Sequence, residues 1–315
     1  MKIFQHETIY ELQDKPGLVH CSSILENSDG SLVCVWYQGS YETASDTVLM
    51  YSRKVPGGDW SAPSVLFDFH GAPLGNPVLW KVSFDERIFI TFSMLTSEDW
   101  KSSLLFFSSS SDGGTSWTAP QLFLSKSGFM AKTQPVENEK NEVVFPLYHE
   151  ESYCPYIYLI RNIDNPLDSF LSAETMARGK AIQPSLCRLG NDRILMVTRT
   201  RLGKIFKSVS HNSGYSWSIL QPSTLDNPDS GIDIFPIAKD IVGIVYNPSS
   251  TDRTKLALAT SKDGGQTWNA LETLVEGEGE YSYPCAIVHT DGSCSVTYTD
   301  SRYAIRYVYF TLGDV

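Results

Sequence analysis

Residues able to move protons or hold an anion recur at two kinds of place along this 315-residue chain. The first is a polar or aromatic residue, often followed by Pro, that opens a short apolar run ended by a tight turn. It occurs as His20-Cys21-Ser22, Asn76-Pro77, Gln134-Pro135, Gln183-Pro184, Gly231-Ile232-Asp233 and Tyr283-Pro284. The second follows the next apolar run, at Tyr37 to Asp46, Met94 to Trp100, His149-Glu150, Arg199 and Arg201, Asn247 to Arg253, and Asp300 to Arg302. Together the two sets hold carboxylates, arginines, histidines and a tyrosine. A packed core would not carry such a set, because unpaired buried charge is costly. It suits recognition of a carbohydrate or an anion.

Each member also has a plainer reading. Asn76, Gln134 and Gln183 precede Pro and are able to cap strand ends. Glu42 and Asp46 lie in a loop rich in Gly, Ser and Thr, where solvated surface is the ordinary outcome. Arg199 and Arg201 flank Thr200 and therefore share a strand face, as do Tyr281 and Tyr283. The weight rests on their convergence.

What would make them converge is a repeat. An eight-residue box, Ser-x-Asp/Asn-x-Gly-x-Ser/Thr-Trp, occurs at Ser110–Trp117, Ser210–Trp217 and Ser261–Trp268. The acid or amide caps turn N–H groups, Gly permits positive φ, and Trp is placed to pack between neighbouring units. Trp117 and Trp217 are 100 residues apart, Trp217 and Trp268 only 51, so a unit between the first two has lost its box. Ser52 to Trp60 is a degenerate copy. The strand openings at 20, 76, 134, 183, 233 and 283 step by 56, 58, 49, 50 and 50 residues. Such a period predicts an all-β fold, a six-bladed β-propeller of four-stranded antiparallel blades, read as one domain over residues 1–315. In a propeller the strand openings and second-strand exits ring one face of the central channel.

The bulk composition agrees. Aromatic residues make up 12%, with 22 Gly and 16 Pro, as many short strands and turns require. A formal charge of −11 and the lack of a Lys/Arg run argue against nucleic acid as a partner. No apolar stretch approaches the ~20 residues of a membrane span. The first residues lack the apolar core of a signal peptide, which points to the cytoplasm. The six cysteines have no metal-ligand spacing and read as buried thiols. No metal or organic cofactor is implied. Oligomeric state does not follow from the sequence.

On its boxes and flanking segments the chain resembles the sialidase superfamily over essentially its whole length. Asn247-Pro248 to Arg253 is similar to the segment that supplies an arginine to the substrate carboxylate, and Arg199/Arg201 to the segment that supplies another. Tyr281-Ser282-Tyr283-Pro284 resembles the stretch with the nucleophilic tyrosine, Tyr283 fitting the strand register better. Asp46 resembles the general acid/base aspartate. Two positions depart from the pattern: His20-Cys21-Ser22 stands where Arg-Ile-Pro is expected, and Gln183 where a glutamate activates the tyrosine. An amide takes no proton from a phenol of pKa ~10, so Glu42 or Glu150 is the substitute base.

The resemblance implies an exo-acting glycoside hydrolase that removes a terminal acidic or deoxy sugar from a glycan. In that reading Asp46, Tyr283, Tyr281, His20 and Glu42 are the catalytic candidates. Arg199, Arg201, Arg253, Arg302, Asn76, Gln134, Glu150, Gln183, Asp233 and Asn247 bind substrate. Two alternatives stand beside it. A polysaccharide lyase would use His20 and Tyr283 as base and acid at a uronate. A non-catalytic sugar-binding propeller would repeat one pocket in every blade, whereas these six openings differ.

Overall fold

The structure, a computed structural model, describes residues 2–13, 16–165, 169–172 and 181–313. The fold is a six-bladed β-propeller of four-stranded antiparallel blades. By backbone contacts the chain divides into two compact units, Met1–Ala131 with Tyr283–Val315, and Lys132–Ser282.

In the first unit one blade runs Leu18–Glu26, Leu32–Gly39, Val48–Lys54 and Ser64–Phe67. The next runs Leu74–Val82, Asp85–Leu95, Ser103–Ser110 and Gln121–Leu124. The last blade, from Tyr283 onward, continues through Cys294–Asp300 and Ala304–Thr311. Its outer strand is Lys2–Glu11, so the N-terminal segment completes the C-terminal sheet. The second unit holds Val143–His149, Cys154–Ile160 and Ser169–Ser172 with the short strand Val136–Glu137; then Ala181–Arg188, Ile194–Thr200, Lys204–Ser210 and Gln221–Asp226; and finally Asp233–Ala238, Ile241–Tyr246, Lys255–Ser261 and Asn269–Glu276.

Second strands are apolar on both faces because each face meets a different blade. Along Leu32–Gly39, Val33, Val35 and Tyr37 enter one core cluster, while Leu32, Cys34 and Trp36 enter another. Along Ile194–Thr200, Leu195 and Val197 join one cluster, Ile194 and Met196 the other. A period of two thus sorts one strand into two cores. Fully burying each large side chain contributes about 1.5–3 kcal/mol. All six cysteines are free and buried, as their spacing predicts.

The boxes cap hairpins and press onto the blade before them. Asp263 Oδ1 accepts from the N–H groups of Gln266 and Thr267, both at 2.9 Å, and Asp112 holds Thr115 and Ser116 in the same way. Asn212 keeps the turn through Ser216 N–H at 2.9 Å. The second box Gly has positive φ in all three, +85° at Gly114, +90° at Gly214 and +81° at Gly265. A Cβ there would reach Val33, Val144 or Leu195 of the preceding blade. Trp117, Trp217 and Trp268 pack into inter-blade clusters. The degenerate copy keeps the bond that brackets the box, but in a different register from the sequence reading: Ser52 Oγ donates to Ser61 O at 2.8 Å, as Ser108 does to Thr118 O and Ser208 to Ser218 O, so Ser52 matches the residue two before the box serine. The lost box falls near residues 160–168, of which 166–168 lie outside the described residues.

Candidate functional site

Four innermost strands carry the same strained residue. Cys21, Asn76, Gln183 and Tyr283 have φ of +55°, +47°, +51° and +54°. Pairing skips a residue at His20/Ser23, Gly75/Val78 and Ile182/Ser185. These are β-bulges, and positive φ in non-glycine residues costs roughly 1–2 kcal/mol each, strain that clusters at functional sites. The bulge corrects the sequence register by one. Cys21, not His20, is equivalent to Asn76, Gln183 and Tyr283, so His20 sits one step before the kink. The blades opening near Gln134 and Asp233 lack this residue.

In the first unit the bulges bring aromatic rings together. The His20 ring lies on Tyr283 at 4.2 Å between centroids and meets Tyr37 edge-on at 5.7 Å. His20 Nδ1 is 3.0 Å from Thr299 Oγ1. Tyr37 is fully buried, and its hydroxyl has no hydrogen-bond partner among the described residues. Burial, then the charge of Glu42, pushes its pKa well up, so it stays a neutral phenol. Glu42 is held by the Arg302 guanidinium. Trp100 stands 6.2 Å from Tyr37 and lies over Gly75, where any Cβ would overlap its ring. Asn76 is buried, with its amide 3.8 Å from Met130 Sδ.

Asp46 is held within its own loop. Its carboxylate is exposed and faces a recess lined by Tyr10, Leu12, Gln13 and Gln38. The Ser40 hydroxyl and the Ser40 N–H, the latter at 3.0 Å, donate to it and hold its pKa below the usual range. A carboxylate so held stays ionised at neutral pH and carries no proton to donate. Glu42 is the carboxylate of this loop that stands beside the aromatic cluster.

In the second unit the arginines converge on an aspartate that sequence reasoning missed. Arg199 Nε is 3.2 Å from Asp229 Oδ1, and Arg201 Nε 3.8 Å from Oδ2. Tyr153 donates to the same carboxylate at 2.6 Å, and its ring lies 3.9 Å beneath the Arg201 guanidinium. Arg253 binds Glu280 at 3.0 Å and the Asp229 carbonyl at 3.0 Å. Asp229 has φ of +54°, in a turn closed by Asn227 Oδ1 accepting from Ser230 N–H. Asn-Pro-Asp-Ser-Gly, a turn sequence after an outer strand, was the available signal. Lys132, 4% exposed, is a further buried charge the sequence did not single out.

The remaining candidates divide. Gln183 donates to the Tyr148 hydroxyl at 3.3 Å, deep in the unit. Asp233 accepts from Ser185 Oγ at 2.8 Å, and that Oγ accepts from Ile234 N–H, which makes Asp233 part of a buried strand junction. The Asn247 amide nitrogen donates to the carbonyls of Lys255 and Tyr281, both at 2.7 Å, and ties two segments of backbone. The Tyr281 hydroxyl rests against Gly277. Gln134 is half-buried, and Glu150 opens the turn that Tyr153 closes.

The chain belongs to the BNR repeat-like domain family, whose model matches residues 30–296. No curated protein sequence matches it. Among solved structures it is similar to the intramolecular trans-sialidase of Ruminococcus gnavus, with a TM-score of 0.81 at 13% identity over 96% of this chain and 97% of that one. It is similar to the NanB sialidase of Streptococcus pneumoniae, with a TM-score of 0.83 at 11% identity, covering 98% of this chain and 71% of that one. For the Hadza microbial sialidase Hz136 the TM-score is 0.80 at 15% identity, over 94% of this chain and 66% of that one. The fold is that of the sialidases.

Proposed function

We propose that the chain is an exo-acting glycosidase of sialidase type that releases a terminal sugar from a glycan. The observation that carries this is the contact of His20 with Tyr283, at 4.2 Å between ring centroids, on a strained bulge beside Glu42 and Arg302. A nucleophile packed beside a base, with a group that orients the base, is the kind of arrangement covalent catalysis uses. Here Tyr283 attacks the anomeric carbon while its proton passes to His20. Thr299 Oγ1, 3.0 Å from Nδ1, orients the His20 ring. The imidazolium gives that proton to the leaving oxygen as the glycosidic bond breaks. Water then attacks the tyrosyl glycoside, losing its proton to His20, which returns it to Tyr283. Glu42 faces the positive charge developing on the sugar ring, and Arg302, paired with it, holds a polar group of the sugar. The R. gnavus and S. pneumoniae relatives, named as a trans-sialidase and a sialidase, support a glycan substrate.

The same histidine–tyrosine contact favours a second reading, proton abstraction next to a uronate carboxylate by a lyase. One experiment separates them. Purified protein is assayed on aryl sialosides, uronides and rhamnosides, while ultraviolet absorbance of unsaturated uronates is followed on polymers. Release of the aryl alcohol without an ultraviolet product supports the glycosidase. An ultraviolet product without it supports the lyase, and silence in both arms refutes both.

A further inference from the structure

The turn of the degenerate box leaves open what the intact boxes fill. At those boxes a Cβ on the second glycine would reach Val33, Val144 or Leu195 of the preceding blade. In the degenerate copy Lys54 stands at the position of the box serine and Pro56 at that of the acid. A Cβ on Gly57 meets nothing within 4 Å, and one on Gly58 meets only Val55 of its own turn. Between this turn and the last blade lies a cavity of about 280 Å³, wholly inside the first unit. Residues 54–57 line one side of it, and residues 289–291 with Tyr307 and Tyr309 the other.

The wall is an ordered polar one. His289 Nδ1 lies 2.7 Å from Glu26 Oε1 and its Nε2 2.6 Å from Ser295 Oγ, which lies 2.7 Å from the Tyr307 hydroxyl. Lys54 donates to both carboxylate oxygens of Glu7 at 2.6 Å. The His289 and Lys54 side chains are only 8% and 12% exposed. A cavity with such walls takes water or a ligand, whereas an apolar one stays dry. Asp291 Oδ1 accepts from Ser293 twice. Among the described residues these bonds leave Glu26 Oε2, Asp291 Oδ2, one Lys54 N–H and the Gln5 amide for a ligand.

Those groups select the ligand's chemistry. A cation meets the Lys54 ammonium and an anion meets the Glu26 and Asp291 carboxylates, so either ion is repelled by part of the wall. An apolar molecule would strand every one of these groups. A hydroxyl both donates and accepts, and a ring of hydroxyls satisfies carboxylate and ammonium together. The Tyr309 ring, 5.7 Å from that of His289, adds an apolar surface for the carbon face of such a ring.

We infer that this cavity is a second binding site, for one neutral sugar residue. It stands apart from the reacting pair. His20 and Tyr283 lie near the starts of the strands Leu18–Glu26 and Tyr281–Val288, whereas Glu26 ends the first and His289 follows the second. Six residues of strand, about 20 Å, separate the two places. The site holds a sugar whether or not the pair at the far end cleaves one.

The test is equilibrium binding by calorimetry and saturation-transfer NMR. The probes are methyl glucoside, methyl galactoside, methyl rhamnoside and N-acetylglucosamine, with ethylammonium chloride and sodium acetate as cation and anion. At least one sugar is expected to bind the wild type, with an affinity that changes less than about twofold between low and high salt, because no ligand charge is screened. Val55→Trp, at a rim residue 61% exposed, fills the cavity without removing a side-chain hydrogen bond and is expected to weaken that sugar at least about tenfold. Asp291→Asn, which keeps the turn's acceptor but not its charge, is expected to weaken it about threefold or more. Turnover of any aryl glycoside by Val55→Trp is expected to match wild type.

Failure of every sugar to bind overturns the inference, and so does tighter binding of either ion than of all the sugars. Unchanged sugar affinity in folded Val55→Trp places the binding elsewhere and overturns it too. If Val55→Trp does not fold, Asp291→Asn decides, unchanged affinity there being the refutation. Sugar binding that follows this pattern in a protein that hydrolyses no aryl glycoside defeats the glycosidase reading and leaves the second site standing.

Discussion

Two glycines on the box turns separate the cost of backbone conformation from the cost of packing. Gly265 has φ of +81°, and a methyl on it would overlap Leu195 Cδ2 in the second strand of the preceding blade. Gly57, in the degenerate copy, has φ of +71° and nothing within 4 Å of a built Cβ. Replacing either with Ala places an L residue in the left-handed region at about 1–2 kcal/mol. Both substitutions also stiffen the unfolded chain, an offset of about 0.4–1 kcal/mol common to the two. Only Gly265→Ala adds overpacking, typically ~1–3 kcal/mol because Leu195 is fully buried and cannot swing out. For a chain of this length each kcal/mol moves Tm by about 1–2 °C. Gly57→Ala is therefore expected to lower Tm by no more than ~3 °C, and Gly265→Ala by several degrees more. Differential scanning calorimetry on both variants reads the difference. Equal losses, or a larger loss for Gly57→Ala, would refute the claim that the box glycine exists to let one blade press on the next.

Further predictions concern charge and polar burial. Partial burial raises the Asp263 pKa, but hydrogen bonds from Thr267, Ser261 and Gln266 more than reverse it and hold it at about 2. Its folded value is depressed, so its contribution to stability is present above the unfolded value near 4 and is lost as pH falls toward 2. Asp263→Asn, which copies Asn212, is expected to keep the fold, with a Tm deficit at pH 6 that shrinks by pH 3. Tyr37→Phe removes a buried hydroxyl with no partner among the described residues and is expected to leave stability equal or raise it by about 1 kcal/mol in urea denaturation; a clear loss would mean that the hydroxyl is bonded. Glu42→Gln is expected to lower the rate on the preferred aryl glycoside at least tenfold. Asp46→Asn, at an exposed carboxylate, is expected to change it by less than threefold; the reverse order would return the acid/base role to Asp46.

The blades were legible because the box is local chemistry. A capping acid, two glycines and a tryptophan within eight residues state their turn without reference to the rest of the chain. The N-terminal strand was not legible, since Lys2–Glu11 finds its partner some 300 residues away in Ala304–Thr311 and carries no box. The bulges were half legible: Pro after Asn76, Gln183 and Tyr283 marks them, but Cys21-Ser22 has no Pro, so His20 was set one residue out of register. Arg199 and Arg201 were placed on a common face by alternation, as found, yet their partner Asp229 sits in a turn after an outer strand, outside both recurring positions. Asn247 looked like a ligand contact because it heads a motif, while its amide is spent on two backbone carbonyls. Side-chain type and spacing predict which residues cluster more reliably than they predict what each one's hydrogen bonds are used for.

The pairing of His20 with Tyr283 as one catalytic unit is tested most directly by a double-mutant cycle on whichever aryl glycoside the protein cleaves best. Rates are measured for the wild type, Tyr283→Phe, His20→Asn and the double variant, with Tm confirming that each is folded. Residues acting as a unit give non-additive losses. Each single change is expected to cost at least about a hundredfold, and the double variant no more than the worse single. Singles that stay within a few-fold of wild type, or losses that multiply in the double variant, would contradict the account.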